Sequence, residues 1–177
     1  MALTTPNIIV YSAGKNSSLG IGDSSIVTEH KFNGETAMTS GSTEDAYFYI
    51  CNKATAAADG TPRDLVNPII NLMAVTEGDS SVAAASTVPH ANIKLYCASV
   101  TSSGKASLSS VSTHNSKEVS IRSWSTVAAE KNILKGIASS VTATESSYSK
   151  IRITAQPQPS APAGSYSYQL SIKGTYT

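Results

Sequence analysis

Hydrophobic and polar positions along the chain alternate with a period of two, the side-chain repeat of a β-strand. The clearest case lies near the C-terminus. Tyr166, Tyr168, Leu170 and Ile172 fall on one side there, and Ser165, Ser167, Gln169, Ser171 and Lys173 on the other. Residues 24–32 set Ile26, Thr28, His30 and Phe32 opposite Val27, Glu29 and Lys31. Residues 45–52 set Ala46, Phe48 and Ile50 against Tyr47, Tyr49 and Cys51, a strand apolar on both faces. Residues 68–75 are apolar apart from Asn71, as in a largely buried strand. Shorter alternations run through Ile93, Leu95 and Cys97, through Val119 and Ile121, and through Ile151 and Ile153. In these, Lys94, Tyr96, Glu118, Ser120, Arg122, Lys150 and Arg152 take the opposite side. With residues 7–11 there are eight candidate strands. Turn-forming clusters such as Asn33-Gly34, Asp59-Gly60-Thr61-Pro62 and Gly78-Asp79-Ser80-Ser81 separate them.

One segment competes as helix. Residues 126–135 hold Ala128, Ala129, Glu130, Lys131 and Leu134, and Gly136 stands where a C-terminal cap would sit. Eight short strands and at most one short helix predict an all-β protein, a single antiparallel β-sandwich over residues 1–177, immunoglobulin-like or jelly-roll. Residues 98–117 include 8 Ser in 20 positions, too polar to bury as a whole, with Val100, Leu108 and Val111 able to form a weak hairpin. Residues 155–164 carry Pro157, Pro159 and Pro162, which predicts a stiff, extended spacer before the last strand.

Composition narrows the function. The 177 residues carry 13 Lys+Arg and 12 Asp+Glu, so the chain lacks the basic excess by which nucleic-acid binders displace counterions. No apolar run approaches the roughly 20 residues of a membrane helix, and the first residues lack the pattern of a secretory signal. With Met1 as the native start, the chain is made in a cytosol; with Met1 added to a mature secreted chain, that expectation falls. Residues 1–88 hold 4 basic and 9 acidic side chains, net −5, and residues 89–177 hold 9 basic and 3 acidic, net +6. Interleaved strands would average this out; a subunit with opposite poles would use it to pack head to tail.

Candidate chemistry is sparse. His30, His90 and His114 show no metal-ligand spacing. The 30 Ser and 18 Thr offer many hydroxyls but no G-x-S-x-G elbow. Gly-Asp-Ser occurs at 22–24 and 78–80, as in GDSL hydrolases, yet no D-x-x-H follows to complete that site. Glu44 and Asp45 are neighbours on a strand and point to opposite faces, so they form no dyad. Gly20-Ile21-Gly22 lacks the rest of a dinucleotide fingerprint, and Asn16-Ser17-Ser18 is a lone glycosylation match. Catalytic, metal and cofactor sites are therefore expected to be absent. Cys51 and Cys97 read either as two buried thiols or as one disulfide pinning two strands. Eight Tyr against two Phe and one Trp suit an interface, or simply suit strands.

Two resemblances bear on function. Pro162-Ala163-Gly164-Ser165-Tyr166-Ser167-Tyr168-Gln169-Leu170-Ser171-Ile172-Lys173-Gly174-Thr175-Tyr176 resembles the closing strand of chaperone–usher and spore-coat-U-type pilins. The chain departs from them in its missing export signal and early cysteine pair. That resemblance implies a surface-fibre subunit assembled by strand exchange, with Tyr166, Tyr168, Leu170 and Ile172 on the assembly strand. Low charge, abundant Ser, Thr and Ala, and a single β-sandwich are similar to bacteriophage virion proteins of the decoration, minor capsid and tail classes. That similarity implies a non-enzymatic structural subunit, made in the host cytoplasm and resident in the virion. Its partners would be copies of itself and other structural subunits, with no nucleic acid and no membrane span. A β-sandwich module for glycans or receptors is a third reading, which Tyr47, Tyr49 or Trp124 exposed in a groove would favour.

Overall fold

The computed structural model describes residues 6–14, 25–34, 36–56, 60–75, 92–100, 108–111, 118–161 and 164–177. The strands are β1 (Ile8–Ala13), β2 (Glu44–Asn52), β3 (Leu65–Val75), β4 (Ile93–Ala98), β5 (Leu108–Val111), β6 (Val119–Ser120), β7 (Ile133–Leu134), β8 (Tyr148–Ala155) and β9 (Ser167–Tyr176). They form two antiparallel sheets. One has the order β1-β2-β8-β4-β5. In the other, β3 is central, with β6 and β7 in succession along one edge and β9 along the other. The all-β reading holds.

The period of two explains how the sheets meet. Ala46, Phe48 and Ile50 of β2, Ile93, Leu95 and Cys97 of β4, and Ile151 and Ile153 of β8 project from the first sheet into one cluster. Leu65, Ile70 and Leu72 of β3 and Leu134 of β7 enter it from the second, and Tyr168, Leu170 and Ile172 of β9 pack against it. The core between the sheets is thus mainly aliphatic, with β-branched and Leu side chains that suit a pleated surface. Residue 121 continues the crossover. β6 pairs with β3, whereas Ile121 bridges to Ser99 beyond β4 and Arg122 N–H donates to Ala98 O at 3.2 Å. The segment passes from one sheet to the other and closes a corner of the sandwich.

Three sequence expectations need correction. Of the strand expected over residues 24–32, the described residues 25–32 form none: Ile26 makes one bridge to Tyr11 and is 56% exposed, while Val27 and Phe32 pack on the core. The chain turns away at Asn33 and Gly34, both with positive φ, before it can extend the edge beside β1. Residues 126–135 form no helix beyond a 3-10 turn at Ala128–Glu130; Ile133 and Leu134 instead pair with Val66 and Leu65. A ten-residue helix there would bury too narrow an apolar face to compete with that pairing. Gly136 is accordingly no helix cap. A Cβ there would sit 1.8 Å from Pro62 O, so the glycine lets two backbones meet, and its N–H reaches Asp64 Oδ1 at 2.8 Å. Finally, Ala155 of the expected spacer at 155–164 belongs to β8, and the described residues after it are not extended throughout: Ala161 N–H donates to Gln158 O at 3.0 Å in a turn. Gln156 N–H donates to Asn92 O at 2.7 Å, Gln158 N–H to Asn92 Oδ1 at 2.9 Å, and Gly41 N–H to Pro157 O at 3.0 Å.

The third strand also runs further than its apolar pattern predicts. A bulge between Val66 and Ile69 carries it past Pro68, which has no N–H for a ladder, with Asn67 at φ 51°. Opposite the bulge lies Gly174, where a Cβ would approach Val66 O to 2.9 Å.

Candidate assembly surfaces

The last strand is the first surface. β9 pairs with β3 from Leu65↔Tyr176 to Val75↔Ser167. Tyr168, Leu170 and Ile172 turn toward the core but are only half-buried, because β9 is the margin of its sheet. Burial pushes the Tyr168 phenol up to about 12, with a smaller contribution from Tyr166. Among the described residues no strand pairs with the other edge of β9. Its outward row of Ser167, Gln169, Ser171, Lys173 and Thr175 is polar, and its one charge, Lys173, is paired with Glu118. Of the residues expected on an assembly strand, Tyr168, Leu170 and Ile172 thus sit at a sheet margin, occupied on one side by their own chain, and Tyr166 precedes the strand.

The second surface is the outer face of the five-stranded sheet. Tyr11, Tyr47, Tyr49, Tyr96 and Tyr148, five of the eight tyrosines, occupy the positions of β1, β2, β4 and β8 that alternate away from the core. At one end Ile9, Tyr11, Tyr49, Cys51 and Tyr148 make a second cluster, covered by Ala143 with Trp124 and Ile137. Tyr49 and Tyr148 meet edge to face at 4.9 Å. At the other end the face is polar. Tyr47, Arg152 and Tyr96 lie side by side on adjacent strands, the Arg152 guanidinium 3.7 Å from the Tyr96 ring centroid. Asp45 holds this row through Arg152 at 3.6 Å and through the Thr154 hydroxyl at 2.5 Å. Lys150 is buried below it, donates to Gly14 O at 3.0 Å and stands 5.5 Å from the Tyr47 ring. Burial lowers its pKa. Cations of the chain thus stand over the rings of Tyr47, Tyr49 and Tyr96, with Tyr49 buried and Tyr47 and Trp124 half-buried.

The remaining candidates separate by geometry. Cys51 and Cys97 are free thiols, both fully buried. The expected alternative of a disulfide fails because β8 lies between their strands, an offset of about 10 Å at normal strand spacing. They also belong to clusters on opposite faces of the sheet. Burial pushes the Cys51 thiol up to about 12 and that of Cys97 up to about 11, so neither is a nucleophile at neutral pH. Glu44 accepts from Asn33 N–H while Asp45 faces Thr154, the opposed orientation that adjacency on a strand predicts. His30 meets Phe32 and Phe48 edge to face at 4.8 and 5.5 Å. His90, His114, both Gly-Asp-Ser turns, Gly20-Ile21-Gly22 and Asn16-Ser17-Ser18 lie outside the described residues. Among the described residues no three His, Cys, Asp or Glu side chains group as metal ligands, and no helix is long and apolar enough to cross a membrane.

Sequence reasoning missed two buried polar groups. Arg122 is fully buried, its Nε donating to Ser123 O at 3.1 Å and its terminal nitrogen to Ser125 O. Asn52 is equally buried; its Nδ2 donates to Arg63 O at 2.8 Å and Leu134 O at 3.0 Å, and its Oδ1 accepts from Asn7 N–H. Asn52 thereby ties the end of β2 to the other sheet. Both residues belong to the fold, not to a surface. No protein-family model matches this chain, and no curated protein matches it either.

Proposed function

We propose that this protein is a non-enzymatic structural subunit of a virion, of the capsid-decoration, minor-capsid or tail class, made in the host cytoplasm and acting through protein–protein packing. One observation carries the reading: among the described residues β9 ends its sheet as a ten-residue edge with half-buried apolar side chains. Folded monomers blunt such edges with lysines, proline, bulges or inward-pointing charges, because an open row of N–H and C=O groups recruits another strand. β9 carries no proline and no inward-pointing charge, and its single lysine, Lys173, is neutralised by Glu118. The tyrosine–arginine row adds a rigid, polar surface of the composition found at interfaces. Near-neutral charge leaves little repulsion between copies.

The test is isolation from infected cells. The subunit reading expects the chain in purified phage particles at fixed stoichiometry, visible by electron microscopy with a labelled terminus. Recovery in sheared cell-surface fibres would replace it with the pilin-like reading, in which β9 is exchanged between subunits.

A further inference from the structure

The edge of β9 has a definable partner. We infer that it pairs, antiparallel and about a two-fold axis at Leu170, with β9 of a second copy of this chain, joining the two β3-containing sheets into one. This deepens the proposed subunit reading and rests on it. A strand edge accepts a strand, and the side-chain alternation of β9 restricts the register to those that keep its apolar positions on one face. Opposed residues of an antiparallel pair point to the same face, so Tyr168, Leu170 and Ile172 must lie against apolar residues of the mate, and registers shifted by one residue are excluded. The register centred on Leu170 sets Leu170 against its own counterpart and Tyr168 against Ile172, twice by symmetry. All three half-buried side chains then gain apolar neighbours at the margin of the sheet.

The other positions agree with this register. On the outward row Gln169 meets Ser171 and Ser167 meets Lys173, so the one lysine of β9 is kept away from its symmetry mate and like charges are not opposed. Beyond the strand's first residue, Tyr166 comes opposite Gly174. An aromatic ring laid over a bare cross-strand glycine is a favourable pairing, and Gly174 is held bare by the bulge in β3. The edge is therefore complementary to itself.

Two double variants read the register directly, because Gln169 and Ser171 face outward and oppose each other across the axis. Q169K/S171K places lysine opposite lysine twice; Q169E/S171K places glutamate opposite lysine twice. The full chain is compared by sedimentation velocity over a concentration series, with circular dichroism to show that each variant is folded. The expected result is a reversible wild-type dimer, weakened about tenfold or more by Q169K/S171K and restored or strengthened by Q169E/S171K. S171K is common to both, so a folding defect at that position would depress both alike. A monomeric wild-type chain throughout the series, or a dimer that responds equally to the two variants, overturns the inference. In either event the subunit reading stands or falls separately, on recovery from particles.

Discussion

The guanidinium of Arg122 occupies a position that simple alternation assigns to solvent. Residues 118–122 put Arg122 on the polar side, opposite Val119 and Ile121. The segment changes sheets at Ile121, however, and what was its outward side becomes interior. Burying a charge is costly unless carbonyls or carboxylates receive it, and here the carbonyls of Ser123 and Ser125 do so. The arginine thereby fixes the loop that leads to the 3-10 turn. Ser125 Oγ accepts from Val127 N–H at 3.0 Å and donates to Glu130 Oε2 at 2.9 Å. Arg122→Met, which keeps the volume and loses the donors, is expected to lower stability by about 2–4 kcal/mol in chemical denaturation. Gly136→Ala is expected to cost about 3 kcal/mol in the same assay, since the added methyl meets a carbonyl rather than a movable side chain. Neither residue was legible in the sequence. Local periodicity reports which way a side chain points within one sheet, and both positions are set by a second piece of backbone far along the chain.

Elements with a long, regular alternation were legible, and those fixed by a few pairings were not. β2 follows its pattern, including its double-faced character, with Tyr49 and Cys51 in the second cluster, and β9 follows its own from Tyr168 to Ile172. β7 is two residues long and exists because Leu134 and Ile133 meet Leu65 and Val66. No window centred on it could outweigh the helix-forming alanines before it. β3 was legible only after Pro68, since its first residues are joined to the rest through a bulge. For β9 the pairing has a practical consequence. The strand covers Leu65, Ile70 and Leu72, so a chain ending at residue 164 is expected to be poorly soluble. A synthetic peptide of residues 165–177, added during refolding, is expected to restore a soluble sandwich and to co-elute with the truncated chain. Failure to co-elute would count against β9 as a strand that can be supplied from outside, which the pilin-like reading needs.

At the scale of the molecule, the opposite charges of the two halves of the sequence do not become two poles where β2 and β8 are paired. Asp45 from the acidic half faces Arg152 from the basic half. The larger pH effect lies elsewhere, in buried groups that are neutral when folded. Cys51 and Cys97 are raised from 9.0 to about 12 and about 11, Tyr168 is raised to about 12, and Tyr11 and Tyr148 are also raised, all chiefly by burial. Their contribution is complete below the unfolded values of 9.0 for thiols and 10.0 for phenols, and is lost as pH rises through the folded values. Lys150 and Arg122, whose pKa values burial lowers, act in the opposite direction. The melting temperature is expected to hold near neutral pH and to fall steadily above about pH 9, measured by calorimetry in a pH series.

The two margins of the smaller sheet differ in kind. On one side, β6 and β7 are two-residue strands separated by the excursion that carries Arg122 and the 3-10 turn, an interrupted border with little room for a visiting strand. On the other, β9 is continuous. A border of this sort gives the sheet a valence of one. The two-fold pairing inferred above would saturate it, so that growth along that sheet would stop at two copies instead of running on into a filament. On the proposed reading, a shell or tube would then take its curvature from another contact, with the pair, not the single chain, as its tile.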